Sequence, residues 1–195
     1  MKHIEQSQLT RQTLSTALKK LMETKPLSRI TVSEIVESCG LNRKTFYYHF
    51  EDIYALLKWT LDQEAIAQFD KFDLVTQHIE AINFSLDYIS ENHSMLRNIV
   101  HSIGRSELSR FFFSDIYQPV YKLVCTSAEI RGLSVGGEYR AFLGKFLTEA
   151  VAGVLMECIE RETLSDRGEL TRRISVTLTA AITASLEEAD REKMK

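Results

Sequence analysis

Residues 40–50 read GLNRKTFYYHF, from Gly40 to Phe50, and place two basic residues, a threonine, two tyrosines and a histidine in one short run. A buried helix shows one apolar stripe and a solvent helix mostly Lys, Glu and Gln, so this stretch fits neither pattern. Just upstream, Val32, Ile35, Val36 and Cys39 recur at the i, i+3, i+4, i+7 spacing of a single helix face. Thr31 with Glu34 forms a capping box at the start of that helix, each side chain satisfying an amide the helix leaves orphaned. Losing such a cap typically costs about 1 kcal/mol. Gly40 ends the helix as the residue that tolerates a left-handed conformation. A second short helix is predicted from about Asn42. On it Phe46 and Phe50, four apart, face Val32, Ile35, Val36 and Leu18, which leaves Arg43, Lys44, Thr45, Tyr47, Tyr48 and His49 mostly on the other side. Helix, glycine turn and a second helix of this composition is what a helix-turn-helix reader of DNA requires, with its outer face set into the major groove. Tyrosine, histidine and lysine suit phosphate oxygens, Arg43 suits guanine, and the Thr45 methyl suits thymine. The competing reading is a bundle helix whose tyrosines pack and whose charges are solvated.

Working outward, helical period dominates. Leu14, Ala17, Leu18 and Leu21 mark a first helix ending near Lys25-Pro26. A fourth helix begins near Asp52 and runs through Trp59 toward Phe69. Further helices are predicted at about 75–92, 95–103, 107–130, 138–161 and 168–188, with breaks at RGLSVGGE and at Asp166 and Gly168. Proline occurs only at Pro26 and Pro119. The fold class expected is all-α: a helix-turn-helix DNA-binding domain over 1–50, a connecting helix over 51–72, and a helical effector-binding and dimerisation domain over 73–195.

The bulk numbers agree. At 195 residues, 44% hydrophobic and 26% charged, the composition is that of an ordinary globular chain. The net charge of −3 hides a head of +3 over residues 1–60 and a body of −6 beyond, an asymmetry that favours a polyanionic partner for the head. Cys39, Cys125 and Cys158 are odd in number and lack a C-x-x-C pair, so neither a disulfide framework nor a zinc ribbon is expected. MKHIEQSQLT has no apolar h-region and no run is long enough to cross a bilayer, so a cytoplasmic location is expected.

From Thr31 through SEIVESCGLNRKTFYYHF to Leu56-Leu57, the chain resembles the TetR family of bacterial regulators. The signature is an apolar-Tyr-x-His-Phe run closing the recognition helix, matched by Phe46-Tyr47-Tyr48-His49-Phe50. The resemblance implies DNA contacts at Ser33, Arg43, Lys44, Thr45, Tyr47 and Tyr48, with Thr31 and His49 near phosphates. The family usually carries a phosphate-binding lysine three residues after that phenylalanine. Ile53 stands there instead, and Lys58 is the substitute expected. YYHFEDIYALLKW, SIGRSELSRFF and FLTEAVAGVL are also similar to one subgroup, the dihydroxyacetone-kinase-operon activators and relatives, which raises a protein co-regulator beside or instead of a small ligand.

The last two helices are rich in small residues, GKFLTEAVAGV and SVTLTAAITAS. A mid-helix glycine costs about 0.5–1 kcal/mol against alanine, and close helix approach is a compensation. Gly144, Ala150, Gly153, Thr177, Ala180 and Ala184 are therefore expected at a four-helix homodimer interface, as the resemblance also implies; packing within one chain is the alternative. Two heads about 34–36 Å apart read successive major grooves, which favours the dimer. In the body, Phe84, Tyr88, Phe112 and Tyr117 with His101 and Arg105 form the expected effector pocket, rings with a few polar groups; solid core is the alternative. Catalytic residues, metal and cofactor are not expected: GLSVGGE lacks the Lys-Ser/Thr of a phosphate loop, and no Gly-x-Ser-x-Gly elbow occurs. The reading is a homodimeric regulator binding a palindromic operator and answering to a small-molecule effector or co-regulator. Its rival is a helical co-regulator acting mainly through a protein partner, with a helical enzyme third.

Overall fold

The computed structural model describes residues 2–161 and 166–193, and every regular element among them is helical. In order these are α1 (Lys2–Met22), a 3-10 turn (Leu27–Arg29), α2 (Val32–Ser38), α3 (Arg43–His49), α4 (Ile53–Leu61), a π-helical turn (Asp62–Ile66), α5 (Ala67–Phe69), α6 (Leu74–Glu91), α7 (His93–Ile103), α8 (Arg105–Ile130), α9 (Gly137–Glu160) and α10 (Arg167–Arg191). Local chemistry sets most boundaries. Asn42 caps α3, Asp52 caps α4 and Asp166 caps α10, each side chain accepting from the amide three residues on.

The chain packs as two units, Met1–Ala67 with Asn92–Leu108, and Gln68–Glu91 with Ser109–Lys195. In the first, Leu14, Leu18, Ile35, Phe46, Leu56, Leu57 and Leu61 are buried with Leu96 and Ile99 of α7. Fully burying one such side chain is worth about 1.5–3 kcal/mol. A buried polar pair joins α1 to α4, where the Thr60 hydroxyl lies 2.9 Å from Ser15 Oγ. The sequence reading placed everything beyond residue 72 in one body, whereas α7 packs in the first unit. Asn98 ties it there beside the buried Leu96 and Ile99. Its Nδ2 donates to the carbonyls of Met22 and Lys25 at 2.8 and 2.9 Å, and its Oδ1 accepts from the Leu27 amide at 2.8 Å. That one amide satisfies the end of α1 and the turn after it.

The second unit buries Leu74, Ala81, Val120, Val124, Leu143, Leu147, Ile182 and Leu186 between α6, α8, α9 and α10. Polar links tie α6 to α10: His78 Nε2 lies 3.0 Å from Ser175 Oγ, Thr171 donates to Asn83 at 2.7 Å, and Asp87 pairs with Arg167. Gly144 is explained inside the chain. It is buried, and a Cβ there would meet the Tyr121 backbone at 3.3 Å and its ring at 3.4 Å.

Candidate DNA-binding interface

The turn between α2 and α3 closes by backbone geometry. The Leu41 amide bonds the Val36 carbonyl at 2.9 Å and the Gly40 amide bonds the Glu37 carbonyl at 3.4 Å, the paired arrangement of a Schellman motif. Gly40 has φ +68°, and a Cβ there would touch nothing, so glycine is needed for its conformation rather than for space. At the other end of α2 both arms of the capping box form. The Glu34 amide donates to Thr31 Oγ1 at 3.3 Å, and the Thr31 amide donates to Glu34 Oε2 at 2.9 Å. Lys25 and Thr31 together hold the Glu34 carboxyl well below its ordinary range, at about 2.

Those restraints fix the outward face of α3. Phe46 and Phe50 are buried as the spacing predicts, while Arg43 and Lys44 are exposed and Tyr47 and Tyr48 stand 51% and 77% exposed. Two large aromatics this open, beside two cations, form an uncovered face with nothing of the described chain over it. The Arg43 guanidinium lies 6.0 Å from the Tyr47 ring, so the two side chains share one patch. Asn42 Oδ1 accepts from both the amide and the hydroxyl of Thr45, at 2.9 and 3.2 Å, which occupies the hydroxyl and leaves the methyl. His49 is half-buried; burial first and the Arg11 charge second lower its pKa, so a neutral imidazole is presented at pH 7. Thr31 is exposed with its hydroxyl engaged in the cap, and Ser33 is half-buried. Lys58 is tied to Asp62 at 2.9 Å.

The residues expected to line an effector pocket do not share a unit. His101 and Arg105 lie in the first, whereas Phe84, Tyr88, Phe112 and Tyr117 lie in the second. There Phe84 and Tyr88 join Phe72 in one ladder and Tyr117 joins Phe113 and Tyr121 in another, with centroids 5.7–6.4 Å apart. An open cleft of about 660 Å³ borders both, lined by Asp70, Phe72, Asp115, Pro119, Tyr121 and Lys122 among others. Of the residues expected at the dimer interface, Ala150, Thr177, Ala180 and Ala184 are exposed, Gly153 is half-buried and Gly144 faces α8. Phe142 and Phe146, not singled out for that face, are each 59% exposed with stacked rings on α9.

Arg11 of α1 lies beside α3, its guanidinium carbon 5.9 Å from the Phe50 ring centroid, and was not among the residues expected at the site. It precedes Leu14 and Leu18 by three and seven residues, so a charge on the apolar stripe of α1 was the available signal.

No helix among the described residues is long and apolar enough to cross a membrane. Residues 14–58 match the model of bacterial regulatory proteins of the tetR family, and residues 77–180 match a transcriptional regulator C-terminal region of the same family. A curated relative, the HTH-type dhaKLM operon transcriptional activator DhaS of Lactococcus lactis subsp. lactis, is 29% identical over 62 residues. That match takes in 32% of this chain and 33% of the relative, so the chain spans about a third of that protein's length. A solved structure, the dihydroxyacetone kinase operon activator DhaS, superposes with a TM-score of 0.70 over 90% of this chain and 97% of its own, at 21% identity, and so shares the fold. With both family models matched and the capped helix-turn-helix in place, the chain belongs to the tetR family of bacterial regulatory proteins.

Proposed function

We propose that the chain acts in the cytoplasm as a homodimer that reads a palindromic operator through α3 and changes its grip when a small effector or a co-regulator engages the second unit. The observation that carries this is the face of α3, where Arg43, Lys44, Tyr47 and Tyr48 stand open over a fully buried Phe46. Thr31, Ser33, Thr45 and His49 flank that face, with Tyr47 and His49 on phosphates and Arg43 and Tyr48 on bases. Lys58 reaches phosphate only by leaving Asp62, so its share is small.

The dimer reading rests on the outer face of α9 and α10. Phe142, Phe146, Ala150 and Gly153 on one helix and Val176, Thr177, Ala180 and Ala184 on the other present rings beside small side chains, which suits close packing against a second copy. For the effector, the cleft beside Tyr121 joins apolar rings to Asp70, Asp115 and Lys122, a lining suited to a polar small molecule. The name of the relative points to control of a kinase operon, and the same class of target is proposed for this chain. Selecting operators from random duplexes with the purified full chain tests the reading. A palindromic consensus supports it; recovery of no enriched sequence sinks it.

A further inference from the structure

Three cations of the first unit are neutralised inside it: Lys19 by Glu64 at 2.7 Å, Lys25 by Glu34 at 2.5 Å and Lys58 by Asp62 at 2.9 Å. Arg11 is not. Its Nε is buried with no hydrogen-bond partner among the described residues, and its guanidinium carbon sits 5.9 Å from the centroid of Phe50, the residue that closes α3. The side chain as a whole is half-buried, so a cation is held against a ring beside His49 with part of the side chain still exposed. The start of α4, next in the chain, offers an anion little. Asp52 places a carboxylate on its first turn, bonded to the Ala55 amide at 2.7 Å, and Ile53 follows with no charge. A guanidinium is weakly hydrated and presents a planar fork that matches phosphate oxygens, which makes it the side chain suited to such a place.

We infer that Arg11 is a DNA-backbone clamp, holding a phosphate beside the C-terminal end of α3 in the role that α4 does not fill. The clamp rests on α3 being the DNA-reading helix. It adds a residue from α1, outside the helix-turn-helix, and assigns it to position rather than sequence. Phosphate contacts fix register on the duplex and carry no base information. The competing account is that Arg11 only covers the Phe50 ring.

The test uses the full chain and two probes, an operator duplex selected by the wild type and a mixed-sequence duplex of equal length, titrated over a series of potassium chloride concentrations. Each phosphate contact contributes about 0.9 to the slope of log affinity against log salt. Arg11→Met and Arg11→Gln should each make the slope shallower by about 0.9 per chain, about 1.8 for two chains, and should weaken both duplexes by the same factor. Arg11→Lys should keep the wild-type slope. Arg11 Nε has no hydrogen-bond partner among the described residues to be orphaned, and two neutral variants guard against one that misfolds. An unchanged slope in a neutral variant that melts like the wild type overturns the clamp, as does a loss confined to the operator. A wild-type chain with no salt-dependent binding to either duplex refutes the interface itself, a result visible before any variant is made.

Discussion

Replacing Asn98 by alanine isolates the polar contact that ties α7 to the end of α1. The wild-type amide makes three hydrogen bonds of 2.8–2.9 Å, two donated to the carbonyls of Met22 and Lys25 and one accepted from the Leu27 amide. A typical intramolecular hydrogen bond contributes about 1 kcal/mol net, so three amount to about 3 kcal/mol. The Leu27 amide is the costliest to strand, because Leu27 is buried. Asn98→Ala should therefore destabilise the first unit by about 3 kcal/mol and speed exchange of the Leu27 amide by a similar free energy. Asn98→Asp sharpens the result. It keeps the shape of the side chain but turns an acceptor toward two carbonyls, so it should be no better than alanine. Urea denaturation followed by amide exchange at Leu27 reads both variants. If Asn98→Asp matches the wild type, or Leu27 stays protected in Asn98→Ala, then α7 is held by shape and the hydrogen bonds are incidental.

Three further outcomes follow from particular contacts. The Glu34 carboxyl is depressed to about 2, so its contribution is complete above its ordinary value of 4.5 and is lost as pH falls from there toward 2. Glu34→Gln should abolish that part of the acid-induced fall in melting temperature, and an identical profile would show that the capping box does not couple to folding. Gly144→Val should cost about 1–3 kcal/mol by overpacking against Tyr121, which lies 3.3 Å from a Cβ built there, whereas at Gly153 a Cβ meets nothing within 4 Å. Gly153→Leu should consequently leave a folded chain that sediments as a monomer, and a folded dimer would move the interface elsewhere. Arg43→Ala should cost about 1–3 kcal/mol of operator binding and relax one base position, measured by mobility-shift titration against single-position variants.

What was legible in the sequence was local. Thr31 with Glu34, Gly40 at +68° and the cap at Asp52 are decided within a few residues, and the helix boundaries follow from them. The buried and open faces of α3 were legible for the same reason, because Phe46 and Phe50 are one turn apart. What failed was long-range. Asn98 reaches carbonyls 73 and 76 positions away, and no pattern on α7 announces it. Gly144 looked like half of a symmetric interface because composition shows a small residue without showing its neighbour, which is Tyr121 of the same chain. Phe84, Tyr88 and Tyr117 were recognised as a set, but their division between two ladders depends on how α6 and α8 pack. The π turn at Asp62–Ile66 carries no glycine or proline, so nothing in its sequence marks it.

The central claim is that α3 of a dimer reads DNA, and one titration tests it most directly: the affinity of the full chain and of the Arg43→Ala/Tyr48→Ala double variant for the operator that the wild type selects. The account predicts an operator whose half-sites lie about one helical turn apart or a multiple of it. It also predicts that the double variant loses roughly 1000-fold or more in affinity while melting like the wild type, because two base contacts in each of two chains at about 1–3 kcal/mol each come to about 4 kcal/mol at the least. Undiminished affinity in a folded double variant would contradict it and take the reading surface away from α3.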